Sequence, residues 1–185
     1  MIEILERPAV RHRVAPLSVA GYHQLRDLGL VGVKTELLNG VIVEKMTKSP
    51  LHTFLSQRLH AWLAEGLPTG WQLRKEDPLT FDGSEPEPDL ALVAGSAETY
   101  RSHHPTTAEL VVEIAVSSVD LDRAKADVYA EAGVSVYWLV LAERHTIEVY
   151  SQPSPSGYQH QETLGSGDTL ETWYGTRVSI DELFV

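Results

Sequence analysis

The run Glu109-Leu-Val-Val-Glu113-Ile-Ala-Val116 constrains this chain more than any other segment. Its apolar residues have the length and order of a β-strand covered on both faces. An ionised Glu113 in the middle of such a strand is costly unless a cation meets it. The fold therefore has to bring a positive group into its own core. A second acid, Asp89, opens another apolar run, Pro88-Asp89-Leu-Ala-Leu-Val93, and Lys125 follows on an expected helix. Two acids on neighbouring strands with a Lys nearby point to hydrolysis at a divalent metal ion.

Composition narrows the alternatives. The chain of 185 residues is long enough to bury a substantial core, and its 43% hydrophobic content is that of a soluble globular protein. No stretch approaches the roughly 20 apolar residues of a membrane span. The start, Met1 to Pro8, carries acids and lacks the basic-then-apolar order of a signal peptide. Without Cys there is no disulfide, thiolate zinc site or Cys nucleophile, and a cytoplasmic location is expected. The net charge of −11 is unevenly distributed. Residues 1–75 hold ten Lys/Arg against six Asp/Glu, whereas residues 76–185 hold five against twenty. A DNA-facing surface would come from the first part, through Lys34, Lys45, Lys48, Arg58, Arg74 and Lys75; a mixed solvated surface explains the same residues.

Punctuation residues order the elements. Ser18 to Leu28 reads as a short helix capped by Ser18. Thr35–Leu38 and Val41–Glu44 flank Asn39-Gly40, a strong hairpin signal. Ser49-Pro50 starts a helix whose core face is Leu51, Phe54, Leu55, Leu59, Trp62 and Leu63. Strands are expected at Trp71–Lys75 and Leu79–Phe81, then at the runs holding Asp89 and Glu113. A helix from about Asp120 to Ala132 should bury Leu121, Ala124, Val128 and Ala132, with Gly133 as its stop. Strands Val136–Leu141 and Thr146–Tyr150 follow. Pro153 to Gly157 reads as a surface loop, with shorter strands at Tyr158–Glu162 and Thr169–Tyr174 and a closing helical turn from Ser179 to Phe184. The order predicts one domain over 1–185 of the α/β or α+β kind, a mixed sheet flanked by helices.

Phosphodiester hydrolysis needs an activated water and stabilisation of charge on the phosphate and the leaving oxygen. Carboxylate-bound Mg2+ or Mn2+ supplies both. Asp89 and Glu113 are the candidate metal acids, Lys125 the residue that orients water and offsets phosphate charge, and Glu36 a third acid. Each has a structural alternative: Glu113 as a core acid paired with a base, Asp89 as a turn cap, Glu36 as a solvated edge residue, Lys125 as a snorkelling surface residue. Only their combination favours chemistry. His52 and His60 lack the spacing of a zinc helix, His103-His104 has no third ligand, and no G-x-S-x-G, Walker or dinucleotide pattern occurs. His52, just inside a helix start, is placed to touch a site, although a structural or solvated His is the commoner reading.

An ordered set of short motifs resembles the PD-(D/E)xK nuclease superfamily, and within it the Uma-two family of restriction endonucleases. The set comprises Glu36-Leu-Leu-Asn-Gly40, Ser49-Pro50-x-His52, Pro88-Asp89 and Val112-Glu113-Ile-Ala-x-Ser-Ser118. It continues with Lys125-x-x-x-Tyr129-Ala-x-Ala-Gly133-Val and Tyr137-Trp138-Leu-Val140. The resemblance implies a restriction-endonuclease-like core over roughly 36–150, with an N-terminal helix and C-terminal strands around it. It implies Asp89, Glu113 and the backbone carbonyl of Ile114 as ligands of Mg2+ or Mn2+, Lys125 as the catalytic Lys and Glu36 as an accessory acid. Ala115 stands where the superfamily's Lys is expected, and Lys125 on the following helix matches the family's displaced Lys. The acid expected four residues before that Lys is here Leu121, with Asp120 and Asp122 on either side.

The leading expectation is a metal-dependent DNA endonuclease, acting as a homodimer because two symmetric sites most simply cut two strands. A non-catalytic interaction protein on the same fold, or a metal hydrolase of a small phosphorylated molecule, are the alternatives.

Overall fold

The apolar runs of the sequence become neighbouring strands of a six-stranded sheet. The protein is described by a computed structural model over residues 7–11 and 13–185. Its elements run α1 (Pro8–Arg11), α2 (Val19–Asp27), β1 (Thr35–Leu38), β2 (Val41–Glu44), α3 (Pro50–Ala64), β3 (Trp71–Lys75), β4 (Leu90–Ala94) and β5 (Leu110–Ala115). They continue with α4 (Val119–Glu131), β6 (Val136–Leu141), β7 (Thr146–Ser154), β8 (Gly157–Leu164), β9 (Thr169–Glu171), β10 (Arg177–Ser179) and α5 (Ile180–Leu183). The main sheet has the order β3-β4-β5-β6-β7-β8. Its one parallel pair is β5 with β6. Parallel neighbours need a crossover, and α4 supplies it.

Every residue of β5 is buried, as its apolar order requires. Leu110, Val112 and Ile114 face the cluster formed with Leu55, Leu59 and Leu63 of α3. Val111 and Ala115 face the opposite cluster, with Ala126, Val128 and Tyr129 of α4. Glu113 shares that second parity and so points at α4. In α3, Ser49 caps the helix by accepting from the His52 N–H, and Pro50 occupies the first turn. Leu55, Leu59 and Leu63 repeat every four residues and form a narrow buried stripe; Phe54 lies off it, 41% exposed, under the Arg58 guanidinium.

Four expectations change. The buried face of α4 is Asp122, Lys125, Ala126 and Tyr129 with Val128 and Ala130, whereas Ala124 is exposed. The helix is turned to carry its polar residues to Glu113, which an apolar-stripe reading cannot anticipate. Leu79–Phe81 forms only the Phe81–Ser84 bridge, because the amides of Leu79 and Thr80 bond to the Pro86 and Pro105 carbonyls instead of a ladder. The expected loop at Pro153 is strand: Pro153 pairs with Tyr158 and Ser154 with Gly157, beyond the reach of β6, so the missing Pro N–H costs no bond. Finally, the Thr169–Tyr174 segment stops at Glu171 and pairs with β10 as a separate two-stranded sheet.

The β1–β2 hairpin is likewise a sheet of its own. Asn39 and Gly40 both have positive φ, +48° and +75°, as a type I′ turn demands. Leu37 exchanges backbone hydrogen bonds with Glu85, and the Gly40 N–H donates to the Gly83 carbonyl. These bonds dock the hairpin against the loop that leads into Asp89. A Cβ on Gly40 would come within 2.8 Å of Leu17 N and Pro16 Cα. Gly40→Ala should therefore cost about 1–3 kcal/mol in urea denaturation, whereas Asn39→Gly should stay within about 0.5 kcal/mol of the parent.

Candidate active site

The β4–β5 register pairs Leu90 with Val112, and one further step sets Asp89 beside Glu113. The Asp89 N–H donates to Glu113 Oε2 (3.3 Å), and the Ile114 N–H donates to Asp89 Oδ2 (2.9 Å). Both acids are thus held by backbone as well as by neighbours. From α4, positions 122, 125 and 129 fall on one face of the helix. Lys125 Nζ lies 3.1 Å from Glu113 Oε1, 2.7 Å from Glu36 Oε1 and 3.6 Å from Asp122 Oδ1. The Tyr129 hydroxyl donates to Glu113 Oε1 at 2.7 Å. Ser118, before the first turn of α4, donates to Asp122.

On the other side of Asp89, His52 Nε2 sits 2.9 Å from Oδ2 and Lys48 Nζ sits 3.3 Å from Oδ1. A cavity of about 100 Å3 is bordered by Glu36, Lys48, His52, Asp89, Glu113 and Lys125, with Ile114 and Asp122 also on its wall. All four predicted side chains, Glu36, Asp89, Glu113 and Lys125, therefore meet at one place, drawn from a hairpin, two strands and a helix. Of the six basic residues first considered, Lys45 and Lys48 border the cavity, and Lys45 is paired with Glu87 at 2.7 Å. Arg74 is instead buried beside Tyr100.

Burial dominates the electrostatics. It pushes Glu113 up to about 8, with Asp89, Asp122 and Glu36 acting in the same direction and Lys125 opposing. Burial also raises Asp122, against Lys125 and the Ser118 hydrogen bond. Asp89 ends below the usual carboxylate range: burial would raise it, but the His52 hydrogen bond and charge, the Ile114 N–H and Lys48 together outweigh that. Burial would lower Lys125, yet Glu113, Glu36 and Asp122 hold it above an ordinary lysine. The ammonium is therefore a permanent charge at neutral pH.

Three acids meet one buried ammonium and Asp89 adds a fourth beside them, with Lys48 at the mouth, so the pocket is short of positive charge. Its oxygen donors are hard ligands suited to Mg2+ or Mn2+. Among the described residues, no three His, Asp or Glu side chains stand together as a ready-made metal site. The available donors are Asp89 and Glu113, with Ile114 beside them. Mg2+ takes one or two carboxylates and keeps several waters, so this set fits it.

The residues and their order match a family description, "Putative restriction endonuclease" (Uma2), over residues 19–173. The chain belongs to the Uma2 family. Its fold is that of a solved structure, a "putative nuclease belonging to DUF820" from Anabaena variabilis ATCC 29413. That likeness has a TM-score of 0.73 at 17% identity and covers 91% of this chain and 98% of the other. No curated protein matches the Uma2 chain.

Three residues around this Uma2 pocket lay outside the site deduced from sequence. His52 was read as structural, yet it is buried against Asp89; its place beside the Ser49 cap was the available signal. Asp122 is one residue from the expected spacing, but three residues is also one helical turn, and its carboxylate reaches the Lys125 cluster. Lys48 had only a basic charge to mark it. No described helix is long and apolar enough to cross a membrane.

The raised Glu113 has a thermodynamic consequence. Between its ordinary 4.5 and about 8, the folded protein holds a proton on Glu113 that the unfolded chain has released. Its contribution to stability is therefore fully present below that window and declines as pH rises through it. Urea denaturation from pH 5 to pH 8 should show this decline in the parent, and Glu113→Gln should flatten it.

Proposed function

We propose that the protein is a divalent-metal-dependent DNA endonuclease. The observation that supports this reading best is the convergence of Asp89, Glu113 and Lys125, from three separate parts of the chain, on one cavity whose acids outnumber its lysines. Asp89, Glu113 and the carbonyl of Ile114 are the groups that would hold the ion. When bound, Mg2+ or Mn2+ supplies an acidified water and a counter-charge for the phosphate. Lys125, kept protonated by its three acids, orients that water and offsets the charge that grows on the phosphate oxygens. Glu36 sets the position of the ammonium through its 2.7 Å contact, and His52 fixes the Asp89 carboxylate by holding Oδ2. Lys45 and Lys48 at the mouth are the nearest cations for the DNA backbone. A homodimer, with one site per strand, suits duplex cleavage.

A second reading draws on the size of the cavity, about 100 Å3, which suits a hydrolase of a small phosphorylated molecule. The two separate in one assay series with Mn2+ present. The endonuclease reading expects nicking or linearisation of supercoiled plasmid and no turnover of a small aryl phosphate. Asp89→Ala, Glu113→Ala and Lys125→Met should each lower the cleavage rate by about 100-fold or more, with circular dichroism confirming folded protein. Undiminished cleavage by the Asp89 or Glu113 variant would overturn the assignment.

A further inference from the structure

Among the described residues, Lys48 is the one cation at the candidate site that contacts an acid inside the cavity and an acid outside it. Its Nζ lies 3.3 Å from Asp89 Oδ1 and 2.7 Å from Glu76 Oε1. Asp89 Oδ2 is already taken up by His52 and the Ile114 N–H, so Oδ1 is the oxygen left for an incoming ion. Lys48 covers that oxygen. It stands in the stretch without regular structure between β2 and α3, with its side chain 32% exposed, so neither a helix nor a strand fixes its long stem.

Glu76 is placed with comparable care. It follows β3 directly and has a positive φ of +57°, which a non-glycine residue adopts at a cost. Its N–H is shared between the carbonyls of Pro88 and Asp89, at 3.2 and 3.3 Å. That bond ties the backbone of Glu76 to the backbone of the metal acid itself. The strained residue thus holds a half-exposed carboxylate at the mouth, within reach of the same ammonium that covers Asp89.

We propose that Lys48 is a built-in placeholder for the metal ion: it occupies Asp89 Oδ1 in the metal-free protein and withdraws onto Glu76 when a divalent cation arrives. This rests on the metal-site reading above. In the metal-free state the ammonium neutralises a buried carboxylate that would otherwise stand exposed to its acidic neighbours. Because it must be displaced, it also sets the affinity of the site, and Glu76 lowers the cost of displacement by offering a second seat. The two residues therefore act on metal binding with opposite signs and through each other.

Calorimetric titration of the DNA-free protein with Mn2+ tests this without reference to cleavage. Lys48→Met should tighten Mn2+ binding about tenfold, the scale of coupling between adjacent charged groups. Lys48→Gln should shift it in the same direction, which guards against an effect of the Met side chain on folding. Glu76→Gln should weaken binding several-fold in the parent and have no effect in the Lys48→Met background. If Mn2+ binding depends on Asp89 but is unchanged or weaker in both Lys48 variants, the placeholder is overturned and the metal site stands. If Glu76→Gln weakens binding equally in both backgrounds, its effect is simple charge and the second seat is overturned. If no variant, nor the parent, binds Mn2+, the placeholder and the metal-site reading fall together.

Discussion

The ammonium of Lys125 touches carboxylates from three places in the chain: Glu36 on a hairpin outside the main sheet, Glu113 inside the central strand, and Asp122 one turn back on its own helix. Each of these acids is buried, and among the described residues none has another cation at ion-pair distance. The rotation of α4 and the tolerance of a charge in β5 both depend on this contact, and it adds a side-chain tie to a hairpin already docked by backbone hydrogen bonds. Remove the ammonium, and the most buried strand of the sheet carries an unpaired acid. Burying such a cluster yields little net stability, since desolvation offsets most of the Coulomb attraction. Its value lies in orientation, because hydrogen bonds from Tyr129 and from the Asp89 backbone leave the Glu113 carboxylate one arrangement.

The same cluster explains why the pocket is chemically unusual. An ordinary core would match each acid with a base, whereas here Glu36, Asp89, Glu113 and Asp122 outnumber the cations around them. The imbalance shows as a proton held on Glu113 well above the usual range and as an ammonium held above its own. A folded protein that keeps such a frustrated site does so at the expense of stability. Asp89 differs from Glu113 and Asp122 because it is covered by His52 and Lys48, and this holds it below the usual carboxylate range. Two neighbouring acids with opposite pKa displacements are the usual mark of a site arranged for chemistry.

Much of this was visible in the order of residues. Glu113 and Asp89 declared themselves because an acid in an apolar run violates the pattern around it, and Asn39-Gly40 declared the hairpin that carries Glu36. Lys125 stood out as the Lys on the helix that follows Glu113, and the family pattern of a displaced Lys singled it out further. On its helix, the stripe of Leu121, Ala124, Val128 and Ala132 looked like the buried face, and the structure buries the neighbouring face instead. Lys48 carried no local signal of its role and His52 only its place beside the Ser49 cap, since a His near a cap and a Lys in a loop are common surface features. Leu79–Phe81 and Pro153 misled for a related reason: strand propensity and proline content are local, while pairing depends on which partner has free ladder bonds.

By itself, the sequence determined the main-sheet strands around Asp89 and Glu113, the Ser18 and Ser49 caps, the hairpin turn and the presence of a charge that needed an answer, because these follow from side-chain period and backbone sterics. The register between β4 and β5, which sets Asp89 beside Glu113, was decided only in three dimensions. So was the turn of α4 that carries Asp122, Lys125 and Tyr129 inward, and the reach of Lys48 between Asp89 and Glu76. The physical reason is that electrostatic partners are chosen by distance through space and by the burial of both groups. Neither quantity exists until the chain has folded.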